Sequence, residues 1–221
     1  FGYELFALNT EKENPVISPV SAYLALALAG KGAEGETKEA FLDVLPDLEC
    51  IPHDLMHNLP RDKEGMLITL NNSAWVDYRL SPKEEWLAWA DSVYRSEVFQ
   101  ASLCADNTYQ AMNRWIEEKT NGMIDKLFEE PLSDDARLVL LNTLYFKGKW
   151  ANAFEGVNTR EDIFSLENGT TVNVDMMNKG NAHLLYVENK VAEGVILPYQ
   201  DENIVFLALK PKKLKERCMT N

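Results

Sequence analysis

Hydrophobic residues along this chain follow two kinds of pattern, and each pattern predicts a different element. Residues 138–146 (LVLLNTLYF) are almost continuously apolar, which is typical of a strand covered on both faces in the middle of a sheet. Two polar residues, Asn142 and Thr143, interrupt the run. An unpaired buried amide would cost about 1–3 kcal/mol. Asn142 therefore has partners across the strand gap, with neighbouring backbone as the simplest, or it lies where the sheet must open.

Strict alternation over residues 66–78 predicts a second strand. The stretch from Ser81 to Glu84 (SPKE) then predicts a capping box with proline at the first helical position. The helix that follows has a buried stripe at Trp86, Trp89, Ala90 and Val93.

The segment that starts at Tyr23 fits both the helical period and strict alternation. A capping serine, Ser18 or Ser21, followed by Pro19, several alanines and a closing Gly30, favours a helix. Residues 30–35 (GKGAEG) match the dinucleotide-binding pattern GxGxxG, but that site requires a preceding strand. We therefore expect a helix end, a turn, and a further helix over residues 37–45.

Residues 46–65 contain three prolines and are predicted to be polar and irregular. His53 and His57 lie four apart and could share a helix face as zinc ligands. Because no acidic or cysteine ligand has matching spacing, solvated side chains are the favoured interpretation, and we expect no metal site or cofactor.

Three further elements are predicted downstream. Asp106 or Asn107 caps a helix with its stripe at Met112, Trp115, Ile116 and Lys119, and Asn121-Gly122 ends it in a left-handed conformation. Residues 162–177 form a hairpin with a two-residue Asn-Gly turn. Residues 195–199 and 203–209 form an antiparallel pair.

Charge and composition limit the function classes. A net charge of −13 over 221 residues argues against nucleic acid, heparin-like polyanions and anionic membranes, since each requires a basic patch. Three scattered cysteines give no disulfide framework. No run reaches the roughly 18 apolar residues of a membrane span, and no signal peptide is visible, although the chain does not begin with Met. Sequons at Asn71 and Asn168 are compatible with secretion.

Two stretches carry a family resemblance. LNTLYFKGKWANAF resembles the third strand of the central sheet in serpins, and MNRWIEEKTNGMIDKLF resembles the serpin helix that lies across that sheet. NPVISPVSAYLALALAGKGAEGETKEAFLDVL, VNVDMM and VILPYQDENIVFLALKP are similar to other serpin segments, in serpin order. The resemblance implies an α+β fold over residues 1–221: one serpin-like domain with a large mixed central sheet, packed helices and smaller antiparallel sheets.

The resemblance also implies site residues. Ser18, Ser21 and Asn142 match the polar cluster under the sheet that is called the shutter, and its histidine would lie outside this chain. Trp150 matches the breach, where the reactive loop begins to enter the sheet, and Thr120, Gly122 and Ile124 match the helix end that must let the loop pass.

Function by resemblance is suicide inhibition of a serine protease, with a cysteine protease as the alternative target. The cleaved loop inserts into the sheet, but the loop is absent from this sequence, so the chain is expected to be the N-terminal part of the inhibitor. Only Arg61 and Lys63 remain where some serpins bind heparin, so heparin is not expected as a partner. An extracellular location is the family default, and the cytoplasm is the alternative.

Three other functions stay open. The first is a serpin-fold carrier, chaperone or storage protein that does not inhibit. The second is an inactive truncated product. The third is an unrelated enzyme, although the sequence contains neither a GxSxG nucleophile motif nor a Walker loop.

Overall fold

The computed structural model describes residues 1–9, 14–166, 168–180 and 184–212. Six α-helices lie in these residues: α1 (Gly2–Ala7), α2 (Pro19–Gly32), α3 (Gly35–Val44), α4 (Cys50–Asn58), α5 (Glu84–Ser92) and α6 (Asp106–Lys119). Nine strands accompany them: β1 (Arg61–Lys63), β2 (Met66–Asp77), β3 (Ser96–Ala101), β4 (Leu138–Gly148), β5 (Arg160–Ser165), β6 (Thr171–Met176), β7 (Leu185–Glu188), β8 (Ala192–Pro198) and β9 (Val205–Pro211). The predicted α+β class is confirmed.

The chain divides into two compact units. Unit 1 comprises Phe1–Asp62 with Leu67–Phe146, and unit 2 comprises Lys63–Met66 with Lys147–Asn221. The single serpin-like domain over residues 1–221 stays a prediction.

Unit 1 is built on a mixed sheet with β2 at its centre. Strand β2 runs parallel to β3, with Asn72 opposite Ser96, and it also pairs with β4. The β2–β4 contacts run in opposite directions, because Asp77 N bonds to Arg137 O at 3.0 Å whereas Asn72 bonds to Asn142 farther along β4. One parallel and one antiparallel neighbour confirm the predicted mixed sheet.

Helices cover both faces of this sheet. Even-numbered residues of β2 and β4 join a core with α2, α4 and α5, whose members include Leu24, Leu28, Met56, Leu70, Ala74, Trp86, Tyr94, Leu140 and Leu144. Odd-numbered residues join a second core with α6, whose members include Trp75, Met112, Trp115, Ile116, Val139 and Leu141. The pleat of the strands therefore assigns each polar residue of the sheet to one of two helix layers.

Strand β4 is less buried than its sequence predicts. Only Thr143 of β4 is fully buried, whereas residues 72–77 of β2 are buried on both faces. Within the described residues β4 pairs with β2 alone. The prediction that residues 138–146 are covered on both faces in mid-sheet is therefore wrong for this part of the chain, because burial depends on neighbours that an apolar run does not specify.

Helix α2 begins as predicted and ends later. Ser18 is its N-cap, and Pro19 occupies the first turn. Gly30 lies inside the helix rather than closing it, and a Cβ there would come within 3.0 Å of the Phe41 ring. This glycine therefore serves close packing of α2 against α3. Because a helix and not a strand precedes residues 30–35, the dinucleotide-binding interpretation is rejected, as the sequence predicted.

The prediction of irregular structure over residues 46–65 is wrong, since α4 and β1 lie there. The Asp47 carboxylate accepts from Glu49 N at 2.7 Å and Ile51 N at 3.2 Å, which stabilises the start of α4. Pro52 lies in the first turn of α4, where a missing N–H removes no intrahelical bond. Three prolines thus flank or begin a helix without interrupting it.

Two helix starts also differ from prediction. Helix α5 begins at Glu84 with extended backbone at Lys83, so Ser81 forms no capping box and Pro82 is not its first residue. The negative charges of Glu84 and Glu85 in the first turn instead interact favourably with the positive end of the helix dipole. The N-cap of α6 is Ala105, with Asp106 already in the first turn. Most of the predicted stripe residues are buried, and the other two, Trp89 and Lys119, are half-buried.

Unit 2 contains two antiparallel sheets, β5–β6 and β7–β8–β9. The first is the predicted hairpin, but Ser165 pairs with Thr171, so the connection is longer than the expected two-residue turn. The side-chain Oδ1 of Asn168 accepts from Thr170 N at 2.9 Å, which closes a local turn within the loop. In the second sheet Pro198 pairs with Val205, which confirms the antiparallel pair. Strand β7 is not among the elements predicted from the sequence.

Candidate functional site

An amide pair links the two central strands of unit 1. Asn142 Nδ2 of β4 donates to Asn72 Oδ1 of β2 at 2.7 Å. Asn72 Nδ2 donates in turn to Tyr94 O at 2.7 Å and lies 3.3 Å from Met56 Sδ. Asn72 is only 3% exposed, so the chain of bonds from Asn142 to Tyr94 O crosses the interior beneath the sheet.

The second polar atom of Asn142 has no such partner. Its Oδ1 is fully shielded from solvent and accepts no hydrogen bond from the described residues. A buried acceptor without a donor costs about 1–3 kcal/mol. For this amide the sequence predicts either partners across the strand gap or a site where the sheet must open. The structure shows half of the amide satisfied, by Asn72, and half unsatisfied.

Sequence reasoning missed Asn72 because it was considered only as part of a sequon. Asn71, the acceptor residue of that sequon, lies inside β2 and donates through Nδ2 to Thr143 Oγ1 at 3.3 Å. The sequence does contain a signal for Asn72. Side chains alternate between the two faces of a strand, so Asn72 must face the same helix layer as Leu70 and Ala74.

Ser18 and Ser21 lie together at the start of α2. Ser18 Oγ accepts from Ser21 N at 3.3 Å, and the two hydroxyls are 2.8 Å apart in a hydrogen bond. Their bonds are thus local cap bonds, whereas the bond of Asn142 goes to Asn72. Helix α2 and Asn142 belong to the same face of the sheet, but the structure shows no direct hydrogen bond from Asn142 to either serine among the described residues.

Thr120, Gly122 and Ile124 form the end of α6. Gly122 N donates to Glu117 O at 2.8 Å and Asn121 N donates to Glu118 O at 3.2 Å, the bonds of a Schellman motif. Asn121 and Gly122 both have positive φ, 50° and 73°. The predicted left-handed terminus is therefore confirmed.

The Thr120 side chain fixes the chain beyond that terminus. Its Oγ1 donates to Ile116 O at 2.7 Å and accepts from Ile124 N at 3.1 Å. Thr120 is buried, whereas 45% of Ile124 is exposed. A single hydroxyl thus joins the last turn of α6 to an exposed segment without regular secondary structure.

Asn113 of α6 holds the same segment farther along and was not identified from sequence. Its Oδ1 accepts from Leu127 N at 3.0 Å and Phe128 N at 2.9 Å, and its Nδ2 donates to Phe128 O at 2.8 Å. A half-buried Asn beside the apolar stripe of a helix gives no periodic signal, so only the fold shows this role.

Helix α6 is fixed to β3 by one carboxylate. Glu97 accepts from Trp115 Nε1 at 3.1 Å and pairs with Lys119 Nζ at 2.9 Å. Burial alone would raise the pKa of Glu97, but the bonds from Lys119 and Trp115 outweigh it, so the pKa is lowered. Glu97 is therefore charged at neutral pH and stabilises the packing of α6 on the sheet.

Trp150 belongs to unit 2 and lies among aromatic rings there. Its indole stacks on Tyr199 with centroids 4.5 Å apart and an interplanar angle of 10°. Phe206 and Phe154 meet it edge-on, at 5.9 and 6.3 Å. The backbones of Trp150 and Tyr199 form an isolated antiparallel bridge, so the ring is positioned from both backbone and side chains.

A buried carboxylate stabilises the strand ends in unit 2. Asp201 is only 2% exposed and pairs with Lys63 Nζ at 2.9 Å. Lys63 and the amide groups of Asn203 lower the pKa of Asp201 to about 2. Lys63 is therefore engaged in an ion pair within unit 2.

Two other features do not occur in the part of the chain that the structure describes. No cluster of three or more His, Cys, Asp or Glu with metal-binding geometry occurs there. None of its helices is both long and apolar enough to cross a membrane.

Comparison with known proteins identifies the family. The model for "Serpin (serine protease inhibitor)" matches residues 1–219. An alpha-1-antitrypsin-like protein of Tamias sibiricus is 30% identical, over 97% of this chain and 54% of that protein. A serpin-like protein of Methanosarcina acetivorans is also 30% identical, over 96% of this chain and 52% of that protein. The chain thus spans about half the length of these relatives.

Solved structures agree with this fold. The thermophilic serpin tengpin in its latent state superposes with a TM-score of 0.82 at 30% identity, covering 93% of this chain and 57% of tengpin. Tengpin in its native state gives a TM-score of 0.81, also at 30% identity and with 93% of this chain and 54% of tengpin covered. This part of the fold is therefore similar to both named states of the same protein.

Proposed function

Because the chain belongs to the serpin family, we propose that it is the N-terminal part of an inhibitor that traps a serine protease. In this proposal the protease cleaves a reactive loop contributed by the rest of the protein. The loop then inserts into the central sheet before the acyl bond to the protease is hydrolysed. The protein acts as a suicide substrate and not as an enzyme, and a cysteine protease is the alternative target.

The observation that carries the proposal is the unsatisfied Oδ1 of Asn142. It lies on β4, whose second edge is unpaired within the described residues. A donor from the remainder of a serpin domain would relieve the cost of about 1–3 kcal/mol. A bond of this kind, made in one arrangement of the sheet and broken in another, biases the equilibrium between two packings.

The other half of the Asn142 amide, its Nδ2, is bonded and holds β4 in place. Its bond to Asn72, and the bond of Asn72 to Tyr94 O, fix β4 to β2 and to the helix layer below. If the sheet opens, we expect it to open at the other edge of β4. Ser18 and Ser21 would act indirectly, by fixing the start of α2 on the same face.

The remaining roles follow the family pattern and are part of the proposal. Trp150, held by its aromatic neighbours, would mark the breach. Thr120, Gly122 and Ile124 would form the gate at the end of α6, where the single Thr120 hydroxyl joins helix and exposed segment. We propose an extracellular location, supported by the exposed sequon at Asn168, with the cytoplasm as the alternative.

Cleavage of the longer protein tests the proposal. We would nick its reactive loop with a small amount of protease and compare the melting temperature before and after cleavage. An inhibitor of this type gains a strand in the central sheet, so the cleaved form should melt far above the intact form. An unchanged melting temperature would indicate a carrier, chaperone or storage protein of serpin fold and would contradict the proposal.

A further inference from the structure

The loop between β5 and β6 presents a sequon at the protein surface. Asn168, Gly169 and Thr170 form the sequence Asn-x-Thr, and all three residues are exposed. Gly169 has a positive φ of 81°, and a Cβ built there would meet no atom of the described residues within 4 Å. The tip of this hairpin therefore has open space around it, as a bulky group on Asn168 requires.

The hydrogen bonds of the Asn168 side chain use only its oxygen. Asn168 Oδ1 accepts from Thr170 N at 2.9 Å and from Thr170 Oγ1 at 2.6 Å. Both bonds end on Oδ1, so Nδ2 donates neither of its hydrogens to the residues that the structure describes. A sugar can therefore replace one hydrogen on Nδ2 without breaking either bond.

The second sequon of the chain lies in the opposite environment. Asn71 is inside β2, a strand that pairs with both β3 and β4. Its Nδ2 donates to Thr143 Oγ1 at 3.3 Å, and Asn72 and Ser73, which complete the sequon, are only 3% and 1% exposed. A sugar bonded to this nitrogen would lie against buried atoms of two strands, and the strands would have to part to admit it. The fold thus excludes at Asn71 what it admits at Asn168.

We propose that Asn168 is the acceptor of an N-linked oligosaccharide and that Asn71 stays unmodified in the folded protein. The inference rests on the extracellular location proposed above, because the sugar is transferred inside the secretory compartment. The donor is an oligosaccharide bound to a lipid through a diphosphate. Asn168 Nδ2 forms a bond to the anomeric carbon of the sugar and loses one proton. The bond between that carbon and the diphosphate breaks, and its electron pair leaves with the diphosphate.

Peptide mapping of the longer protein tests this assignment. A cleavable signal would direct the protein into the secretory pathway of animal cells. The secreted product would then be treated with a peptide N-glycosidase in heavy-oxygen water, so that each glycosylated Asn becomes a labelled Asp. We expect the label at Asn168 and none at Asn71. Thr170→Ser keeps the sequon and should stay glycosylated, whereas Thr170→Ala should lose the oligosaccharide.

Gel mobility of two further variants separates the sequons. Asn168→Gln should lose the mass step that the glycosidase removes from the unmutated protein, and Asn71→Gln, the matched control, should keep it. Mapping reads both sites in the unmutated protein, so the test does not depend on the folding of Asn71→Gln.

Two results would overturn the inference: a secreted protein without the label at Asn168, or one with the label at Asn71. If that protein still traps a protease, the inference fails alone and the proposed function stands. A protein that is glycosylated at Asn168 but traps no protease would contradict only the proposed function.

Discussion

The hydrogen bond between Asn72 of β2 and Asn142 of β4 leads to an unusual prediction. A second mutation should restore stability that the first mutation removes. In the unmutated chain, one polar group of the pair, Asn142 Oδ1, lacks a partner among the described residues. Asn72→Leu leaves two more groups unpaired, namely Asn142 Nδ2 and the Tyr94 carbonyl oxygen. At about 1–3 kcal/mol for each buried group, reduced by the gain from burying Leu, we expect a loss of about 2–4 kcal/mol.

The other variants should cost less. Asn142→Leu removes the unpaired Oδ1, but it also leaves Asn72 Oδ1 without its donor. The two effects should therefore offset one another to within about 1 kcal/mol. The double variant leaves only the Tyr94 carbonyl oxygen without its donor. We therefore expect the double variant to be more stable than Asn72→Leu by about 2 kcal/mol, a coupling typical of groups in direct contact.

Urea unfolding of the four chains, followed by tryptophan fluorescence, gives these free energies. Asn71→Leu is the matched control, because Asn71 bonds to Thr143 on the other face of the sheet. Asn142→Leu should not rescue that control. Additive losses in the Asn72 and Asn142 double variant would refute the reasoning, because they would mean that the two amides do not depend on one another.

Three further predictions concern other parts of the chain. Gly194→Ala should destabilise unit 2 by about 3 kcal/mol, because a Cβ there would lie 2.2 Å from a backbone oxygen of β9, whereas Gly180→Ala, with open space around it, should be neutral in thermal melts. The folded-state pKa of Asp201 lies below its unfolded value, so its pair with Lys63 stabilises fully above about pH 4 and is lost as the pH falls toward about 2. Asp201→Asn should accordingly flatten the acid dependence of the urea midpoint over that range. Nicotinamide and flavin nucleotides should not bind near Lys31 in calorimetry, and micromolar affinity would revive the dinucleotide-binding interpretation.

Elements with local signals were predictable from the sequence. Helix α2 follows from a capping serine and Pro19, and the end of α6 follows from Asn121-Gly122, because these residues set backbone geometry within one turn. Helix α4 was missed because prolines were counted without their positions. Pro52 lies in the first turn, where proline is tolerated.

Burial in the sheet could not be predicted in the same way. The apolar run of β4 suggested a strand covered on both faces, yet the fully covered strand segment is residues 72–77 of β2. An apolar run indicates that a strand can be buried. Whether both of its faces are buried depends on which strands and helices lie beside it. The same limit hid Asn72, whose importance comes from partners distant in sequence, Tyr94 and Asn142.

The hydrogen bonds of the candidate site could not be predicted from the sequence. The family resemblance named Asn142, Ser18 and Ser21 together, but their roles in a moving sheet stay predictions. The structure adds Asn72 as the direct partner of Asn142 and Asn113 as a second anchor of the segment after α6. Hydrogen-bond partners across strands and helices depend on register, which single residues in a sequence do not specify.

Formation of a covalent complex tests the central claim most directly. The longer protein and the 221-residue chain would each be incubated with chymotrypsin-like, elastase-like and trypsin-like serine proteases and with a cysteine protease, then denatured and separated by mass. We predict that the longer protein forms a denaturant-stable complex with at least one serine protease and that the 221-residue chain forms none. A longer protein that every protease merely cleaves, or a 221-residue chain that itself traps a protease, would contradict the account.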